Sequence, residues 1–384
     1  MRHQYSTAYF TVLLIASTTH AWQEWKGICP ENCLCVTAPD EALFANCKSQ
    51  GLKTVPRHFP AEADTIDLSY NEIEEISKDT FNTNLPKLYS LNLGFNRISH
   101  IDDDAFESLG SLGELIMQGN FIRRLSPRIF TGLNYLQTLF IGFCPNLESL
   151  ENGVFSHLPN LVVLFASNSS IKEIGDSSLS GTTLQFINLA FNHLQRMPNI
   201  TGLENVHLYL EGNRIETVNP AYMHEISTIG SIELNRNQLR TIPLNVIQVL
   251  KFYEVSNPVS FWLNVQDNPW VCDCDMKRVV DVWPTMPMFL DNTITCAFPT
   301  KLRGMNLWDV PPQELCRTFI KDSEQVEIFE YEAPTEEVYE AGSADGPDDV
   351  NLTFIIVASI SSAVGTVLLT LAVIGAVVWC RRKK

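Results

Sequence analysis

Leu88-Tyr89-Ser90-Leu91-Asn92-Leu93-Gly94-Phe95-Asn96-Arg97-Ile98 decides the fold of this chain. Leu91 and Leu93 alternate with Ser90, Asn92 and Gly94, the period of a strand with one buried face. The leucines are predicted to point inward and their polar neighbours outward. Asn96, at the ninth position, is predicted to turn the chain out of the strand. Its amide carries donors and an acceptor that can satisfy backbone groups of adjacent turns.

The framework Leu-x-x-Leu-x-Leu-x-x-Asn-x-Leu returns nine times, with Asn71, Asn96, Asn120, Cys144, Ser169, Asn192, Asn213, Asn237 and Asn268 at the ninth position. Successive spacings are 25, 24, 24, 25, 23, 21, 24 and 31 residues. A period in the twenties on this framework marks a leucine-rich-repeat solenoid, in which Cys is a known substitute for Asn. One such strand cannot bury its apolar side alone, so neighbours stack into a curved parallel sheet over a continuous core. The fold class is therefore α/β, with the sheet on the concave side and an irregular or 3-10 convex side. Phe81, Phe106, Phe130 and Phe155 follow their ninth positions by ten or eleven residues and are predicted to stack as a buried spine. Leu179, Met223 and Ile247 take over later, and the short repeat around Pro198 should leave the back less regular.

Tyr9 to Ala16 is a short apolar run after Arg2 and ends in small residues at Ala21. It reads as a secretory signal peptide over 1–21, being far shorter than the roughly 20 apolar residues a membrane helix needs. Cys29, Cys33, Cys35 and Cys47 precede the repeats, and Cys272, Cys274, Cys296 and Cys316 follow them. Two groups of four in a secreted chain read as disulfide frameworks. Zinc is the rival reading, but Cys-x-Cys is tighter than usual finger spacing. Spacing alone leaves three pairings open in each group.

From about residue 29 to 316 the chain resembles the leucine-rich-repeat proteins with cysteine-rich N- and C-terminal caps, the family of Slit, platelet glycoprotein Ib and the variable lymphocyte receptors. The resemblance implies the pairs Cys29–Cys35, Cys33–Cys47, Cys272–Cys296 and Cys274–Cys316. Expected domains are an N-terminal cap over 22–60, repeats over 61–267 and a C-terminal cap over 268–317. End repeats expose an open core face, which polar, stapled caps would close.

Leu352 to Trp379 contains no charged side chain and would span about 40 Å as a helix, enough to cross a bilayer. Cys380-Arg-Arg-Lys-Lys384 follows, so the basic side is expected in the cytoplasm and the repeats outside. That defines a single-pass type I protein of the plasma membrane, with transmembrane helix 352–379 and tail 380–384. A five-residue tail holds no signalling domain, so any signal would pass through a co-receptor in the membrane. Cys380 is a candidate for palmitoylation, with an unmodified cysteine the plain alternative.

The stalk, 318–351, carries eleven acidic residues and one basic residue between Lys321 and Asp349. Such composition repels itself and buries no core, so it reads as an extended linker. Tyr331 and Tyr339 sit among glutamates and are sulfation candidates, which would make the stalk an anionic arm. Setting aside Arg2 and the four basic tail residues leaves 22 Lys and Arg against 44 acids, a formal charge of −22. Nucleic acid and other polyanions are poor partners for such a surface, whereas a basic protein would be steered in.

Outward strand positions are expected to form the ligand face. The fifth position of successive repeats gives Asp67, Asn92, Ile116, Phe140, Phe165, Asn188, Tyr209, Glu233 and Asn264. The third gives Thr65, Ser90, Glu114, Thr138, Val163, Phe186, His207, Ser231 and Trp262. Neighbouring solvent-facing aromatics are costly unless covered, and such rings dominate interface energetics. Ile116, Phe140, Val163, Phe165, Phe186, His207, Tyr209, Glu233 and Trp262 are the candidate ligand contacts. The alternative is that the rings cover one another or are covered by a loop. Asn168-Ser-Ser170 and Asn199-Ile-Thr201 are glycosylation acceptors, and a glycan at Asn168 would stand where the strand leaves the sheet.

No His-Glu-x-x-His, Gly-x-Ser-x-Gly or phosphate-binding glycine loop is present, so no catalytic, metal or cofactor residue is assigned. The expected function is a cell-surface receptor binding an extracellular protein. The alternative is an adhesion molecule bridging cells through its ectodomain.

Overall fold

A computed structural model of the chain describes residues 22–81, 84–222, 229–243, 246, 262–282 and 294–317. The chain divides into two compact units. Glu24–Val36 with Leu43–Val326 forms the larger and contains the repeats. Of the smaller, the described residues include a tight turn in which Ala38 N–H donates to Ala42 O at 2.8 Å and Glu41 takes a φ of 68°. The signal peptide, stalk, transmembrane and tail readings, with Tyr331, Tyr339 and Cys380, fall outside the described residues. So do Met223 and Ile247. Among the described residues no helix is long and apolar enough to cross a membrane.

The larger unit is built on strands that follow chain order: β1 (Leu43–Asn46), β2 (Ala63–Asp67), β3 (Ser90–Asn92), β4 (Glu114–Ile116), β5 (Thr138–Phe140), β6 (Val163–Phe165), β7 (Phe186–Asn188), β8 (Val206–Tyr209), β9 (Ile229–Glu233) and β10 (Trp262–Asn264). Every adjacent pair is parallel. Parallel neighbours need a crossover, and here each crossover is the convex half of one repeat. The middle residues Leu91, Leu115, Leu139, Leu164 and Ile187 of β3 to β7 are fully buried.

The ninth-position asparagines lock each repeat onto the one before it. Asn96 Nδ2 donates to Leu68 O and to Leu93 O, both at 3.0 Å, while its Oδ1 accepts from Ile73 N–H at 3.1 Å. Asn120 repeats the pattern with Leu93 O, Met117 O and Ile98 N–H. Both amides are buried, and backbone groups that leave a strand inside a core must find such partners. Cys144 fills the position with a buried thiol, and Ser169 Oγ accepts from its N–H at 3.0 Å.

Phe81, Phe106, Phe130 and Phe155 are buried along the back, with centroids 5.8 Å apart for the first pair and 6.1 Å for the last. Leu179 continues the row, also buried. Two short parallel pairs, Glu75–Ile76 with His100–Ile101 and Ser149–Leu150 with Glu173–Ile174, and a 3-10 turn at Pro127–Phe130 make up much of the rest. Near Pro198 the back holds an isolated bridge between Arg196 and Thr217.

Both ends of the stack are stapled, by Cys29–Cys35 and Cys33–Cys47 at the front and Cys272–Cys296 and Cys274–Cys316 at the rear. The rear cap adds helix α1 (Cys274–Val282) and helix α2 (Pro312–Arg317) over a core of Trp270, Met276, Leu307 and Leu315, all fully buried. Such covers replace the neighbour that a terminal repeat lacks.

Candidate functional site on the concave sheet

Register fixes which side chains share a row. The third-position residues pair strand to strand from Thr65 through Glu114, Val163 and His207 to Trp262. The fifth-position residues run likewise from Asp67 through Ile116, Phe140, Phe165 and Tyr209 to Asn264. Parallel strands lie about 4.8 Å apart, close to the separation of stacked rings.

Four aromatics exploit that match. Phe140 and Phe165 stack face to face, with centroids 4.6 Å apart and planes 1° apart. Phe165 then meets Phe186 at 4.9 Å and 45°, and Phe186 meets Tyr209 at 4.9 Å and 38°. The row therefore steps from the fifth position to the third at β7, where Asn188 holds the fifth, and back again at β8. Ile116 extends it beside Phe140, and Val163 lies between Thr138 and Phe186. All of these except Thr138 are half-buried, each ring shielding part of its neighbour while leaving one edge to solvent. The rings thus cover one another in part only.

The C-terminal flank is polar. His207 lies over Gly230, where a Cβ would collide with the imidazole, and its Nδ1 is 3.0 Å from Ser231 Oγ. Burial holds the His207 pKa below the ordinary histidine value, favouring the neutral ring. Burial, reinforced by the charge of Glu233, pushes the Tyr209 hydroxyl up. The side chain of Trp262 lies outside what is described.

The N-terminal flank holds a second polar group. Ser90 Oγ donates to Glu114 Oε2 at 2.5 Å, and the ring of Tyr89 lies over Gly113, where no Cβ would fit. Burial raises the Glu114 carboxyl above the ordinary carboxylate range, against the Ser90 bond. Tyr89 is raised as well, by burial first and then by Glu114. Among the described residues, no three His, Cys, Asp or Glu side chains are grouped to hold a metal ion. Burial pushes the Cys144 thiol up to about 11, so it stays a thiol rather than a nucleophilic thiolate.

A second aromatic row escaped the reading of the sequence. Tyr70, Phe95, Phe143 and Phe191 each stand just before a ninth position, all with φ between 54° and 56° and all exposed. The left-handed backbone swings them off the sheet at its edge, where each strand ends. Tyr70 stacks on Phe95 at 4.7 Å, and Lys48 Nζ lies 4.9 Å from the Tyr70 centroid. The signal was an aromatic directly before the ninth position in four of nine repeats, which an alternation of buried and exposed residues does not register.

Stacked strands, an asparagine ladder and stapled ends define a class: this chain is a leucine-rich-repeat protein with cysteine-rich caps. The leucine-rich-repeat family profile matches residues 86–145. Keratocan from Gallus gallus is 29% identical over 226 residues, covering 57% of this chain and 61% of keratocan. Osteomodulin from Bos taurus is 27% identical over 236 residues, 59% of this chain and 53% of osteomodulin, so the chain spans less than two thirds of both. Trophoblast glycoprotein from Macaca fascicularis is 24% identical over 316 residues, 78% of this chain and 70% of that protein. Among solved structures, human trophoblast glycoprotein (Wnt-activated inhibitory factor 1) has the same fold, with a TM-score of 0.55 at 23% identity over 76% of this chain and 100% of the other.

Proposed function

We propose that this chain is a cell-surface receptor that captures an extracellular protein ligand on its concave sheet. The observation that carries the reading is the half-exposed row Phe140–Phe165–Phe186–Tyr209 with Ile116 and Val163 beside it. A continuous row of rings with open edges on a rigid sheet supplies anchors at low entropic cost, and such anchors dominate protein interfaces. The flanks, with Glu114 and His207 at third positions and Glu233 beside Tyr209, would set orientation. The ligand would be a protein with basic groups around an apolar centre, steered by the acidic charge of the chain. The layout that goes with this is a signal peptide over 1–21, caps over 22–60 and 268–317, repeats over 61–267, an acidic stalk, and a membrane helix over 352–379 with a five-residue tail. A signal would leave through a co-receptor.

A screen of the purified chain against extracellular proteins identifies the ligand. Phe165→Ala with Tyr209→Ala should then weaken binding at least about 30-fold, roughly 2 kcal/mol, while secretion stays normal. Normal binding by a secreted, folded double variant would reject the concave site. In a cell-aggregation assay, clustering of cells that express only this chain would favour the adhesion reading.

A further inference from the structure

We infer that Asn168 carries an N-linked glycan whose first sugars lie against the exposed rings of Phe143 and Phe191, closing that edge of the sheet to protein partners. The inference goes beyond ligand capture but rests on the secretory reading of the chain.

The argument starts from the backbone. Phe143 N–H donates to Ser167 O at 2.9 Å, Asn168 N–H to Ala190 O at 3.0 Å and Phe191 N–H to Glu211 O at 2.8 Å. This ladder sets the three residues on successive turns, about 4.8 Å apart, each at the same left-handed position with φ of 54° or 55°. Phe143 is 48% exposed and Phe191 40%, so an apolar ring stands on either side of the asparagine. Asn168 is itself exposed, and it opens the acceptor triplet Asn168-Ser169-Ser170.

The other described acceptor differs. Asn199 Nδ2 donates to Asp176 O at 3.2 Å, and its Oδ1 accepts from Thr201 N–H at 3.0 Å. Its amide is tied down where that of Asn168 projects. Transfer acts on the unfolded segment, so the folded bonds of Asn199 decide only what a sugar there would displace, the contact to Asp176 O.

The occupant also fits the rings. One face of a pyranose carries axial C–H bonds with weak positive charge, and the face of an aromatic ring is negative. A sugar tethered between two such rings meets them at high effective concentration. An exposed aromatic row on a secreted protein is otherwise an association hazard.

The test uses the full chain made in a secreting eukaryotic host. Peptide mapping after enzymatic release of N-glycans, which leaves aspartate at each occupied site, should find Asn168 occupied. Thermal unfolding is then compared for the wild type, Asn168→Gln, the ring variant Phe143→Leu with Phe191→Leu, and the triple variant. The expected result is that loss of the glycan lowers Tm by several degrees with the rings present and by less than half as much without them. Phe143→Tyr with Phe191→Tyr keeps the aromatic faces and should restore the full effect. An unoccupied Asn168, or equal Tm losses in all backgrounds, overturns the inference. If the secretory reading is what fails, the cap cysteines will titrate as free thiols, which a bare Asn168 with intact disulfides would not produce.

Discussion

At the scale of single residues, Glu114 shows how a concave position can be polar with its carboxyl partly withdrawn from water. Ser90 Oγ donates to its carboxylate, and burial raises its pKa above the unfolded value. The folded state then holds the proton more tightly than the unfolded chain does. Stability from this group is fully present below the unfolded carboxylate pKa and is lost as pH rises through the folded one. Glu114→Gln keeps an acceptor for Ser90 and removes the penalty of the charged form. Its Tm should exceed that of the wild type at pH 7, with the gap closing near pH 4, as followed by circular dichroism. A gap that widens on acidification would show that the carboxylate is the stabilising form. Which residues faced outward was legible, because alternation along a strand leaves no freedom once the leucines are inside. That Phe186 would carry the ring row across from the fifth to the third position was not. Only the neighbours on both sides, Phe165 and Tyr209, decide where a ring leans.

At the scale of the element, one repeat is a strand, an asparagine turn and a convex return, and the turn joins it to its neighbour. Asn120→Ala would orphan Ile98 N–H inside the core, leave Met117 O with only the Cys144 thiol at 3.9 Å, and strip Leu93 O of one of its two amide donors, the other being Asn96. At roughly 1–3 kcal/mol for an unsatisfied buried group, the variant should lose about 2–4 kcal/mol in chemical denaturation. Exposed ion pairs between repeats, such as Lys172–Glu148 and Arg196–Glu173, contribute far less, because water screens both partners. The asparagines were readable from spacing, since a buried turn that recurs every two dozen residues or so calls for a similar polar group, an amide in seven of the nine repeats. The edge row of Tyr70, Phe95, Phe143 and Phe191 was not. Its exposure follows from a positive φ, a backbone property that neither hydropathy nor periodicity encodes. The folds of the rear cap, α1 and α2, were equally hidden. There the period ends, and four cysteines mark a stapled cap without fixing the path between them.

At the scale of the whole molecule, charge and order of assembly are the properties no single repeat possesses. With 44 acidic residues against 27 basic, association with a basic ligand should slow at least about tenfold between 50 and 500 mM salt, measured by stopped flow or surface binding. A salt-independent rate would mean that the apolar rings alone govern encounter. Order of assembly follows from the direction of the asparagine bonds. Each amide reaches back: Asn71 to Cys47 O, Asn96 to Leu68 O, and so on to Asn268, which donates to Leu234 O and accepts from Leu239 N–H. A turn therefore leaves the ribosome with its own backbone unfinished and is completed by residues translated about two dozen codons later. For the last turn that completion comes from Asn268, two residues before the tryptophan at the heart of the rear cap. Synthesis and bonding thus advance together, and the final closure of the stack coincides with the arrival of the segment that covers it.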